Sequence, residues 1–257
     1  MRTLLIDGDI LAFQVAAVTQ SPFVCPDEPD VFVVMLDNKT AKRNIRSHIK
    51  SLEETFEADK SIIALSKVGQ GGKDNYRKSI LPSYKDNRNR KGYKPVGLPL
   101  LFEWLPTEFK TYAFDTLEGD DVLGILATHP TLVKGDKIIV SIDKDMKTIP
   151  SKLIWRIEDG IKEITKKQAD YWHLFQTLTG DTTDNYKGCP TVGPKTAEKI
   201  LASDPSWETV VSTYESKGLT KEDALVQAQV ARICRHENYD IEKGELTLWH
   251  PDDDPWV

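Results

Sequence analysis

With 257 residues, 39% hydrophobic and 29% charged, the chain has the length of one large domain, or of one domain with a smaller lobe, and an ordinary globular composition. No apolar run approaches a membrane span, and Leu4-Leu5-Ile6 is too short for a signal-peptide core before Asp7 interrupts it. The three cysteines, Cys25, Cys189 and Cys234, are far apart and odd in number, which argues against a disulfide framework or cysteine metal site and for reduced thiols in a cytosolic setting.

In chain order, Arg2 to Ile6 reads as a buried strand left by the turn Asp7-Gly8-Asp9, and Ile10 to Val18 as a helix. Val31 to Asp37 is compatible with a strand or a helix. Lys39 to Glu57 has amphipathic helical spacing, and Ile62 to Leu65 is a second buried strand. After the glycine-rich break at Gly69-Gln70-Gly71-Gly72 comes a basic, proline-scattered window that reads as a partly helical excursion. Leu100 to Leu105 is expected as helix, Thr111 to Phe114 as strand, and Asp120 to Thr128 as a helix with acids in its first turn. Lys137 to Ile142 and Leu153 to Ile157 add strands, and from Lys166 onward the pattern is that of an all-α lobe. Strands alternating with helices imply an α/β fold with a mainly parallel sheet covered on both faces, whose ligands bind beyond the carboxyl ends of the strands.

The net charge of −6 argues against a nucleic-acid partner only on average. Between Lys73 and Lys94 eight basic residues face two acids, so this window carries +6 and the remainder −12. A basic stretch on an acidic body suits a protein that grips phosphates in one place and gathers divalent cations in another; a solvated surface segment is the plainer alternative. Tyr76 and Tyr84 among these cations suit stacking on unpaired bases, or else partial core burial.

Nine acids recur in short clusters: Asp7 with Asp9; Glu118, Asp120 and Asp121; Asp143 with Asp145; Asp181 with Asp184. Singly they read as turn and helix-cap residues. Jointly, at the ends of separate predicted elements, they would repel one another unless hard cations sat between them, and two such ions can hold both the attacking and leaving oxygens of a phosphate displacement. The segment Gly188-Cys189-Pro190-Thr191-Val192-Gly193-Pro194-Lys195 predicts a glycine turn into a helix whose exposed N–H groups, with Lys195 and Lys199, suit a phosphate. The five histidines are dispersed, and no Ser-His-Asp, Cys-His or Walker pattern appears.

Together, Leu4 to Asp9, Tyr76-Arg77-Lys78, Leu81 to Arg88, Leu117 to Val122, Ser141 to Asp145, Trp172 to Gln176 and Gly180 to Asn185 resemble, in order, the 5′-nuclease (flap endonuclease) superfamily, and within it the 5′→3′ exonucleases of T-seven-like phages. The resemblance implies a PIN-like core over residues 1–165 with a basic arch at 67–98. It also implies an α-helical DNA-binding lobe at 166–257 with a helix–three-turn–helix at 180–202. One Mg²⁺, replaceable by Mn²⁺, would be held by Asp7, Glu118, Asp120 and Asp121, and a second by Asp143, Asp145, Asp181 and Asp184. Lys85 and Arg88 match the arch cations at the scissile phosphate. Arg77, Lys78, Tyr84, Gly188, Gly193, Lys195 and Lys199 fall to DNA, with K⁺ at the turn. Implied partners are DNA with a 5′ end or flap, the RNA of an RNA–DNA hybrid and replication proteins, in the cytoplasm of an infected bacterium.

Two departures stand out. Thr191 replaces a glycine usual in the turn, and Lys67 stands where the family has another ligand aspartate. A cation pointing into the site would repel metal. Asp74 as a substitute ligand from a longer loop, an engineered Lys67 and a naturally impaired, end-binding protein are the open explanations, and Asp9 is a further acid of unassigned role.

Overall fold

The structure, a computed structural model, describes residues 1–25, 27–67, 74–87 and 94–253. Strand β1 (Arg2–Asp7) is the centre of a sheet, because Leu4 and Ile6 point to one face, Leu5 to the other, and all three are buried. Helix α1 (Gly8–Thr19) follows at once, and the hairpin β2 (Gln20–Cys25) and β3 (Glu28–Leu36) leads to α2 (Asn38–Thr55). Thus the undecided segment at Val31 is a strand, and its partner β2, which holds Pro22 and lacks alternation, went unread in the sequence. Then come β4 (Lys60–Ala64), the short α3 (Arg77–Ile80), α4 (Leu98–Glu108), β5 (Thr111–Tyr112), α5 (Gly119–Thr128), β6 (Asp136–Val140), β7 (Ser151–Ile154) and β8 (Lys162–Ile164).

Among the described residues the main sheet has six strands in the order β5-β4-β1-β6-β7-β8. The first five run parallel and β8 pairs antiparallel with β7 at the edge. Strands buried on both faces read as continuous apolar runs, which is why Leu4-Leu5-Ile6, Ile62-Ile63 and Ile138-Ile139 were recognisable. One face packs Leu4, Ile63 and Ile138 against Ala12, Ile45, Leu52 and Leu101 of α1, α2 and α4. The other packs Leu5, Ile62 and Ile139 against Val122, Leu123 and Leu126 of α5.

Helices α6 (Lys166–Thr179), α7 (Pro194–Ser203), α8 (Trp207–Glu215) and α9 (Lys221–Ala231) enclose a core of their own around Leu174, Trp207, Tyr214 and Trp249. The segment after Lys166 is not all-α: a small antiparallel pair, β9 (Tyr239–Asp240) and β10 (Glu245–Leu246), follows α9, and Ile233, Cys234 and Tyr239 join the core beneath α5. Among the described residues no helix is long and apolar enough to cross a membrane.

Candidate active site

The carboxyl ends of the parallel strands carry the chemistry. Asp7 ends β1 and caps α1, its Oδ1 accepting the Ile10 N–H at 3.0 Å. Its other oxygen accepts the Ser141 hydroxyl at 2.7 Å, and Ser141 Oγ in turn accepts the Asp143 N–H at 3.1 Å, tying the ends of β1 and β6 together. Glu118 precedes α5. Asp145 accepts from Gln176 of α6, and Asp181 and Asp184 come from the turn after α6.

These elements meet around one cleft of about 190 Å³ lined by Asp7, Asp9, Glu118, Asp120, Asp143, Asp145, Asp181 and Asp184, with Ser66, Lys85 and Lys144 between them. Lys85 Nζ pairs with Glu118 and lies 3.5 Å from Asp184, while Lys144 Nζ is 2.6 Å from Asp181. Among the described residues no three of these groups already converge as a finished coordination sphere. The cleft is instead a cradle of hard oxygen donors partly closed on its own lysines.

Its electrostatics record the crowding. Burial, then repulsion from Asp9, pushes the Asp7 carboxyl up to about 7. Burial and Asp143 do the same for Asp145, to about 7. Asp120 is raised by burial and by Asp7 and Asp143. Burial also opposes ionisation of Glu118, yet Lys85 and Arg77 outweigh it and hold that carboxyl down at about 2. Asp181 is likewise lowered against its burial by Lys144 and the Thr183 N–H. Carboxylates that resist ionising together, whose oxygens are the donors the cleft offers a cation, have the chemistry of a hard divalent cation site.

Several expected residues lie elsewhere. Asp121 is 0% exposed and faces the core, where the Arg77 guanidinium grips both its oxygens at 2.7 and 2.8 Å. It is therefore no ligand, and Arg77, also donating to the Val230 and Arg232 carbonyls, is no surface cation for DNA. Tyr84 is 2% exposed with its hydroxyl 2.9 Å from both Glu118 and Asp184, so stacking on bases is replaced by a role inside the site wall. Gly188 is buried against Gly180, its N–H donated to Gln227 at 2.9 Å, which makes it a packing glycine rather than a DNA contact.

Lys67 does not point into the cleft: it is exposed and its ammonium lies 2.5 Å from Asp115. Asp74 is exposed and off the cleft lining, so it replaces no ligand. Lys78 is partly exposed 3.9 Å from Asp86; Gly193 and Lys195 are exposed at the start of α7, where no side chain caps the helix, and Lys199 is exposed further along it. Arg88 lies outside the described residues. Ser66, Ser141, Lys144 and Gln176 were not assigned a role; Ser141 and Lys144, in Ser141-Ile142-Asp143-Lys144-Asp145, and Gln176, in Trp172 to Gln176, lie in segments the sequence singled out, whereas Ser66 carried no signal of its own.

No family model matches the chain. It is 33% identical to the exodeoxyribonuclease of Enterobacteria phage T3 over 96% of this chain and 92% of that protein. It is also 33% identical to the exonuclease of Escherichia phage T7 over 96% and 93%. Among solved structures, the phage T5 5′-exonuclease with zinc bound superposes with a TM-score of 0.62 at 18% identity, over 90% of this chain and 93% of that one. The catalytic core of Rad2 with DNA does so with a TM-score of 0.52 at 13% identity, over 99% and 85%. These last two likenesses speak for the fold alone.

Proposed function

Because this chain belongs to the 5′-nuclease family and is thus a hydrolase, we propose that it is a Mg²⁺-dependent 5′→3′ exodeoxyribonuclease leaving 5′-phosphate products, with Mn²⁺ able to substitute. The observation that supports this most directly is one cleft into which separate strand ends, the α5 start and the turn after α6 each send carboxylates. Asp7, Glu118 and Asp120 form one ligand group; Asp143, Asp145, Asp181 and Asp184 form the other. Divalent cations bound there supply Lewis-acid activation of water and neutralise the phosphate.

The remaining work falls to the chain itself. Lys85, seated between Glu118 and Asp184, stabilises the charge that builds up on the phosphate oxygens once released from its carboxylates. Ser141 and Gln176 hold Asp7 and Asp145 in place. Lys78, Lys195, Lys199 and the α7 N-terminus follow the DNA backbone, and their contacts carry no sequence preference. The turn from Gly188 to Gly193 is the place for K⁺, and an RNA strand paired with DNA is a further substrate.

The test is 5′-labelled duplex with Mg²⁺, comparing the natural chain with Asp143→Ala and Asp145→Ala. Labelled mononucleotides are expected from the natural chain, and more than a hundredfold loss of rate from each variant with DNA binding retained, about 2.7 kcal/mol of transition-state stabilisation. Short oligonucleotides from a 5′-flap substrate would make it a flap endonuclease instead, and DNA retention without cleavage by the natural chain would refute the catalytic reading.

A further inference from the structure

We propose that Asp9 is the fourth carboxylate of the Asp7–Glu118–Asp120 group, holding a divalent cation with them and supplying from α1 the acid that the exit of β4 lacks. This rests on the metal-dependent reading above and extends it by one residue. Asp9 lines the cleft beside those three carboxylates. Both its oxygens are held by a single residue: the Ser66 N–H donates to Oδ1 at 3.0 Å and the Ser66 hydroxyl donates to Oδ2. Ser66 Oγ in turn accepts the Gly119 N–H at 2.8 Å. One carboxylate therefore clamps the start of α1, the exit of β4 and the start of α5, the helix flanked by Glu118 and bearing Asp120.

Three features separate this from a fold-holding contact. The α1 cap is already supplied by Asp7, so Asp9 is not needed for it. Each Asp9 oxygen accepts one of these bonds and keeps a lone pair for a cation. Gly119 completes the case: a Cβ there would lie 3.1 Å from Asp9 Oδ2, tighter than an ordinary contact, so the bare glycine lets the carboxylate sit where it does against α5. Lys67, turned out to Asp115, leaves the cleft free for this arrangement.

The experiment is a Mn²⁺ titration followed by electron paramagnetic resonance, with thermal melting with and without Mn²⁺, on the natural chain, Asp9→Asn and Asp120→Asn. Asp9→Asn should weaken one Mn²⁺ at least tenfold, leave the metal-free melting temperature unchanged or raised, and shrink the rise that Mn²⁺ produces. Asp120→Asn should weaken the same ion. A titration of Asp9→Asn within twofold of the natural chain, while Asp120→Asn loses an ion, overturns the assignment, as does a lowered metal-free melting temperature with affinity retained. If both variants bind as the natural chain does, the metal-dependent reading itself fails.

Discussion

Adjacent carboxylates at the start of α5 part company because a helix advances about 100° per residue, so that Asp120 faces the cleft when Asp121 enters the core. The sequence Glu118-Gly119-Asp120-Asp121 gives both acids equal claim to a metal. Only the buried Arg77, arriving from α3, decides between them. Asp121→Asn leaves the buried guanidinium with Glu118, 3.3 Å away, as its remaining counter-charge and should cost about 3 kcal/mol, read as a lower denaturant midpoint with Mn²⁺ affinity nearly kept. Asp120→Asn should do the reverse, losing Mn²⁺ affinity while the metal-free midpoint holds or rises. A Mn²⁺ affinity that follows Asp121 rather than Asp120 would invert the assignment. Lys67 teaches the same lesson from the other side: a cation that reads as an intruder is turned away from the cleft to Asp115.

At the scale of elements, the turn between α6 and α7 combines close packing with strain. Gly180 and Gly188 have φ of +65° and +64° and press their backbones together so tightly that a Cβ on either would fall within 2.3 Å of a neighbouring atom. Thr191 has φ of +64° with no such freedom. A β-branched residue in the left-handed region costs about 1–2 kcal/mol, and glycine regains part of that, less what it adds to the entropy of the unfolded chain. Thr191→Gly should therefore raise stability by about 1 kcal/mol, read as a higher denaturant midpoint; an unchanged or lower midpoint would mean that the threonine side chain repays its strain. The exposed start of α7, which this turn presents, was readable because Gly193-Pro194 is a helix-start signal.

For the molecule as a whole, the cleft links stability to pH and to cations. Asp7 and Asp145 are raised from 3.8 to about 7, so without metal the folded state holds protons that the unfolded chain releases above about 4. The stability those two groups contribute is complete below about pH 4 and is lost as pH rises through 7. Asp9, Asp120 and Asp143 face them with like charge, and Lys85 and Lys144 with opposite charge. A divalent cation binds the ionised forms and restores what ionisation removes. The rise in melting temperature produced by Mg²⁺ should accordingly be small at pH 5.5 and several times larger at pH 7.5. An equal rise at both would show that these carboxylates are not the ligands.

The parallel sheet was legible because strands buried on both faces are written as unbroken apolar runs, and the acid clusters because carboxylates at the ends of such runs have few structural uses. Both are local patterns, readable one segment at a time. Which carboxylates point inward was not local: Asp9 is placed by Ser66 and Asp121 by Arg77, partners 57 and 44 residues away. Tyr84 and Lys85 likewise meet Asp184 only because the segment after α3 packs on the turn after α6, joining Tyr84 to a residue 100 positions away. Periodicity and end signals determined the scaffold and the list of candidate groups; burial and long-range hydrogen bonds, which exist only once the chain has folded, decided which of them face the cleft.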